Sequence, residues 1–365
     1  MRTTAALVLG SALVFAAGYA LAEDEERYPE LHGIFLIELQ SDGFYHSADP
    51  SRERNDLYFT VEPSFSLGIT PHFSVESGLV LEPVFPPEPG ENRFFGDQGL
   101  FVEQLYLHWH WGRYSLHGGK FNPEFGIAWY TAPGIWGADF AETYYEITER
   151  VGLGGNVELG NKRFGSHVLG ADVFMIDTSP LSDSLITRRG RFPPDLDWPG
   201  NTGTLDSFAI TAQGGKIPAL PGLGYSVGFA RFQGVGEART EIDYAAALTY
   251  AFKPRPDIDV WLLSEYVHQH NPGGAKANRD LVTAGGAAFW GGLNLALSYS
   301  WLAWRSEAEG RIRDYLFQAT LGYAWNLGEQ GSYGRFAIDV GWRGARELGL
   351  RRDAVGALVS YLLEF

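Results

Sequence analysis

The sequence predicts an all-β chain that closes into one transmembrane antiparallel β-barrel of sixteen strands, with fourteen or eighteen as the alternatives. Three observations carry this expectation. An apolar/polar alternation of period two runs along nearly the whole chain, so successive side chains meet different media. A secretory-type leader precedes it, and nothing after Glu23 offers the roughly 18 consecutive apolar residues that a spanning helix needs. Finally, short connections gather at one end of the strand series and longer ones at the other.

The leader begins with Met1 and Arg2 and continues as an apolar run over Thr3–Leu21. Ala20-Leu21-Ala22 has the small-x-small form of a cleavage site, so cutting is expected before Glu23. The expected organisation is therefore a signal peptide over residues 1–22 and a single barrel domain over residues 23–365. A mean hydropathy of −0.13 suits a barrel, because only every second residue faces lipid. The 365 residues include no cysteine, which fits passage through an oxidising periplasm without a disulfide framework. Aromatics at 15% can supply interfacial girdles. The formal net charge of −16 and the lack of a basic patch argue against a nucleic-acid partner.

The strands are expected near 31–40, 56–68, 71–82, 99–111, 114–120, 145–159, 163–176, 204–214, 223–233, 242–252, 258–268, 280–290, 293–305, 312–325, 335–343 and 354–365. The second is the cleanest: Leu57, Phe59, Val61, Phe65, Leu67 and Ile69 alternate with Tyr58, Thr60, Glu62, Ser64, Ser66 and Gly68. Beyond Thr70–His72 the pattern resumes, with Phe73, Val75, Leu79 and Leu81 opposing Ser74, Glu76 and Glu82. Gly112-Arg113 reads as a two-residue hairpin turn that pairs His108 with His117. The strand around Trp261 has ambiguous facing, since Glu265 shares parity with Trp261 and Leu263. In the last strand Val355, Ala357, Val359, Tyr361, Leu363 and Phe365 share one face. Short turns at Thr70–His72, Gly112-Arg113, Gly160–Lys162 and Gly291-Gly292 are expected on the periplasmic side, with both termini. Ser41–Asn55, Pro83–Gln98, Phe121–Tyr144 and Asp177–Gly203 are expected as longer outer loops, although Asn326–Gly334 breaks the sorting.

The leader, the strand series and Phe365 closing an amphipathic strand together resemble the Gram-negative outer-membrane porins. The stretch Gly118-Gly119-Lys120-Phe121-Asn122-Pro123-Glu124-Phe125-Gly126 is similar to a Gly-Lys-Phe-x-Pro-x-Phe-Gly element of phosphate- and polyphosphate-selective porins. The resemblance implies an outer-membrane location, an assembly role for the terminal aromatic and a homotrimer. It also implies that the third outer loop folds into the lumen. Phosphate selectivity is not implied, because those channels are lysine-lined and the lysines here are only Lys120, Lys162, Lys216, Lys253 and Lys276.

A sixteen-strand barrel is wide enough for an aqueous channel. The expected activity is passive diffusion of small hydrophilic solutes or ions, with a mild cation preference. Pore-lining candidates are Tyr58, Glu62, Glu76, Gln104, His108 and Arg343. The loop Phe121–Tyr144, rich in aromatics, glycine and proline, is expected to narrow the pore. Lys120, Glu124, Asp139, Glu142, Glu146 and Arg150 are the candidates at that neck, the carboxylates facing wall arginines such as Arg150 or Arg343. His108, His110 and His117 are weak metal candidates, for which the sequence supplies no completing carboxylate. No cofactor is called for. The expected partners are the lipid bilayer, lipopolysaccharide and small hydrophilic solutes.

Other motifs are read plainly. Gly224-Tyr225-Ser226-Val227-Gly228 fits a hydrolase pattern, but Ser226 lies mid-strand with no following helix, so no enzyme is expected. Asp195, Asp197, Gly200 and Asp206 only loosely follow a calcium loop, because Pro199 takes a ligand position. Gly152-Leu153-Gly154-Gly155 is a twisted-strand run and not a nucleotide fingerprint. The rival function is a plug-free transporter specific for one solute class, such as an iron chelate or an oligosaccharide. A membrane enzyme is the more remote alternative.

Overall fold

A computed structural model describes residues 28–308 and 310–365. The expected signal peptide lies outside the described residues. Sixteen long strands form the wall: β1 Glu30–Ser47, β2 Arg54–Thr70, β3 Phe73–Pro83, β4 Gln98–Trp111, β5 Tyr114–Phe121, β6 Arg150–Asn161, β7 Gly165–Ile176 and β8 Ser207–Gly215. They continue with β9 Leu223–Phe232, β10 Glu241–Arg255, β11 Ile258–His270, β12 Ala277–Trp290, β13 Leu293–Ser306, β14 Gly310–Asn326, β15 Arg335–Glu347 and β16 Leu350–Glu364. Each pairs antiparallel with the next, and β16 pairs with β1, so the sheet closes on itself and leaves no open edge. Two-residue strands at Arg93–Phe94 and Leu185–Ile186 flank β2 and β4 near the loop end. The wall count is thus sixteen rather than fourteen or eighteen.

Exposure inverts the soluble pattern. On β13, Leu295, Leu297 and Tyr299 are exposed, while Asn294, Ala296, Ser298 and Ser300 point inward and are buried. A sandwich would bury the leucines, so the alternation means lipid outside and a polar interior. On β4 a register shift opposite Gly78 and Leu79 leaves Glu103 unpaired. Bulges reset facing by one residue. Here Leu105 and Leu107 turn outward after the shift, whereas Phe101 is buried before it.

Several boundaries differ from expectation, and three have a plain cause. β1 extends to Ser47, because its pairing with β16 continues past a bulge between Phe44 and His46. β6 begins at Arg150 rather than 145, since Tyr145 and Ile147 are buried with the preceding loop. β16 begins at Leu350, where Asp314 accepts the backbone N–H groups of Leu348 and Gly349 at 2.8 and 3.0 Å and closes a tight turn. Loop lengths sort cleanly only in the first half. The loop end carries 84–97, 122–149 and 177–206, but then shortens through 233–240 and 271–276 to the two-residue turn at 348–349, shorter than 327–334 at the termini end.

Candidate channel interior and its inward loop

Residues 122–149 leave β5 and β6 and cross the barrel interior. The segment holds two short helices, α1 Ala128–Thr131 and α2 Asp139–Tyr144. Its side chains are too apolar to stand in water. Phe125, Ala128, Trp129, Trp136, Phe140 and Ala141 are nearly or fully buried, and pack with Leu263, Val267, Leu281, Leu302 and Leu316 of the wall. This explains the ambiguous strand: β11 is apolar on both faces because Trp261, Leu263 and Val267 face the loop while Leu262 and Tyr266 face outward.

Polar anchors fix the loop to strands across the lumen. The first turn of a helix leaves N–H groups without partners. At α1 the wall supplies them: Glu265 accepts from Ile127 at 2.5 Å and from Ala128 at 3.0 Å, and Tyr145 donates its hydroxyl to the same carboxylate. On β14, the Gln318 side-chain amide donates to the Pro133 carbonyl at 2.7 Å, and Thr320 Oγ1 accepts from the Ile135 N–H at 3.2 Å. Trp136 donates its indole N–H to Asp42 of β1 at 3.2 Å. A side chain at Gly356 of β16 would collide with the Trp136 ring, so glycine makes room for it.

The charged candidates divide into separate groups. Asp139 meets Arg343 of β15 at 2.7 Å, and Arg343 also pairs with Glu347. Lys120 does not face open space. It is 3% exposed and pairs with Asp177 at 2.8 Å and Glu149 at 3.0 Å, while Arg189 reaches Glu149 at 2.6 Å. Lys120 thereby ties loops 122–149 and 177–206 to β5. Arg150 lies near Glu149 and Glu241, rather than opposite Glu142 and Glu146. Those two lie instead among other carboxylates, including Glu82, Glu103 and Glu38. Burial first, and then these neighbours, push Glu142 up to about 8 and Glu146 up to about 9. Burial raises Asp139 to about 7 despite Arg343. Glu124 is raised by burial to about 7 and accepts a hydrogen bond from Gln213 at 3.3 Å.

A cavity of about 270 Å³ remains between the loop and the wall formed by β1–β3 and β13–β16. Glu38, Asp42, Glu82, Asp139, Glu142 and Asp339 line it, against Arg335 and Arg343, with Tyr58 also at its edge. Glu62 sits near Glu38, Glu82, Glu103 and Glu142. Glu76 is apart, holding Ser66 at 2.9 Å and Ser74 at 2.5 Å on the wall. Gln104 faces Gly78 across the β3–β4 pairing.

His108 pairs with His117 as the turn predicts, and His110 with Ser115. The carboxylate that the sequence did not supply comes from β7: Asp172 meets His117 Nε2 at 2.9 Å. Gly154 of β6 lies between them in register, and any side chain there would fill the gap. Among the described residues, no group of three or more His, Cys, Asp or Glu is placed to hold a metal ion. Ser226 is a buried wall residue paired with Ala247, and Asp197 accepts the Glu237 N–H at 2.9 Å.

No protein-family model matches the chain, and no curated protein matches it. Solved structures match along almost its full length. The outer-membrane channel DcaP of Acinetobacter baumannii superposes with a TM-score of 0.55 at 12% identity, covering 92% of this chain and 96% of that one. The fold is that of an outer-membrane channel. OpdK of Pseudomonas aeruginosa, solved with vanillate, gives 0.55 at 10% identity, covering 92% and 99%. OccAB4 of Acinetobacter baumannii gives 0.52 at 10%, covering 92% and 98%. The likeness of Gly118–Gly126 to phosphate-selective porins rests on that segment alone. In this fold the segment is where the strand ends and the inward loop begins.

Proposed function

We propose that this protein forms a water-filled channel in the Gram-negative outer membrane, for passive diffusion of small hydrophilic solutes and with a preference for cations. The observation that carries the reading is the acid-lined cavity left beside the inward loop, where six carboxylates face two arginines. Rings of one charge sign at a narrow point favour the opposite ion. The loop supplies two of those carboxylates, Asp139 and Glu142, and so sets both width and charge. No enzymatic role is part of the proposal, since Ser226 sits mid-strand without a turn to present it. A homotrimer, as the porin resemblance implies, belongs to it and is read by native mass spectrometry. Liposome swelling tests the transport claim. Small cationic and neutral solutes should enter faster than anions of equal size, and protein-bearing liposomes as tight as empty ones would refute it.

One observation favours a second reading. The apolar cluster around Phe125, Trp129 and Trp136 fills much of the interior. The passage left is narrow, which suits selection of one solute class. Flux that saturates for a single class, while others stay slow, would decide for that reading.

A further inference from the structure

The outward face of β13–β16 carries a band of arginines at the loop end. Arg305 stands directly opposite Arg311, Arg313 lies two residues further along β14, and Arg346 stands opposite Arg351. Arg346 also pairs across β14 with Tyr315, which places all five on one face. That face is the outer one. Phe317, two residues beyond Tyr315, is exposed, while Asp314, Leu316 and Gln318 of the alternate parity are buried inside.

Like charges directly opposite each other across strands are destabilising unless an anion sits between them. Among the described residues too few are supplied. On this face Asp280 pairs with Arg305 and Asp353 with Arg351, whereas Arg311 and Arg313 make no ion pair among the described residues. Five arginines against two carboxylates stand out in a chain whose net charge is −16. Their height is equally specific. They lie beside the end of β13, the start of β14 and the turn at 348–349, directly beyond Trp301, Tyr315 and Trp342 on the same face. Aromatics mark the interface of a membrane barrel, so the cations just beyond them sit at headgroup level.

We propose that this band docks the phosphates of the phosphorylated glycolipid that forms the outer leaflet. Bidentate guanidinium groups on neighbouring strands match phosphate oxygens, and the aromatics below meet the acyl chains. The inference rests on the membrane placement proposed above and on the loop end facing outward, as the sequence leads one to expect. The test titrates diphosphorylated lipid A into the purified protein in neutral detergent, followed by native mass spectrometry. Binding should be salt-sensitive. It should weaken by about tenfold or more in Arg311→Ser/Arg313→Ser/Arg346→Ser, and comparably for dephosphorylated lipid A with the unaltered protein. Equal binding by the two proteins, or of the two lipids, overturns the proposal. Competition by millimolar inorganic phosphate as effective as the lipid itself would also overturn it, by making this a free-phosphate site. Bilayer conductance of the same preparations keeps the two claims apart. A conducting protein with no phosphate-dependent lipid binding refutes the docking band alone, and a silent protein that binds lipid refutes the channel alone.

Discussion

The carboxylate of Glu265, on the wall, caps the first turn of α1 inside the barrel by accepting the Ala128 N–H at 3.0 Å. The same group also holds Ile127 and Tyr145, so one buried side chain carries three anchors of the inward loop. Hydrogen bonds to charged groups contribute about 1.5–3 kcal/mol each. Glu265→Ala should therefore loosen the loop. Single-channel conductance is expected to rise by roughly twofold with noisier open levels, as when an obstruction at a neck is freed. Tyr145→Phe should change it less.

Asp139 and Arg343 set opposite charges at the cavity. Arg343→Gln removes one of its two cations and should strengthen cation selectivity, read as a larger reversal potential in a salt gradient. Asp139→Asn should move the potential the other way. Both effects should shrink at high salt, since ions in the passage screen charge over about 3 Å at 1 M.

Glu142 and Glu146 titrate far above the ordinary carboxylate range, at about 8 and about 9. Below neutral pH both are protonated and neutral, and each gains a negative charge as pH rises through its own value. Cation selectivity should therefore climb steadily between these limits. Glu142→Gln/Glu146→Gln should flatten the profile, and an unchanged profile in that variant would place the titrating groups elsewhere.

Lys120 is the buried cation shared by Glu149 and Asp177. Removing one partner of a buried ion pair costs about 3–5 kcal/mol, since the other charges stay uncompensated. Lys120→Met should lower the temperature at which the barrel loses its heat-modifiable gel mobility, and should free loop 177–206 for proteolysis. Lys162→Met, in the short turn after β6, should do neither.

Most of the wall was legible in the sequence because lipid and water impose a period of two on any strand between them. Legibility failed where the inner medium is not water. β11 hid its facing because Leu263 and Val267 meet the loop, so both of its faces are apolar. The start of β6 was misplaced for the same reason: Tyr145 and Ile147 look like strand residues but pack within the loop. At the candidate site, Asp139 and Arg343 were brought together as their charges imply. Asp172 could not be matched to His117 from spacing, since they lie on strands separated by β6 and meet only because Gly154 has no side chain. The anchoring role of Glu265 was not read either, although its odd parity was visible. A lone carboxylate within an apolar parity is the pattern that could have pointed to it.

The most direct test is electrical. Detergent-folded protein added to a planar bilayer should give discrete conductance steps, with a reversal potential in a salt gradient on the cation side. Protein shown to be folded and inserted that passes no current, or that reverses at the anion potential, would contradict an open, acid-lined passage.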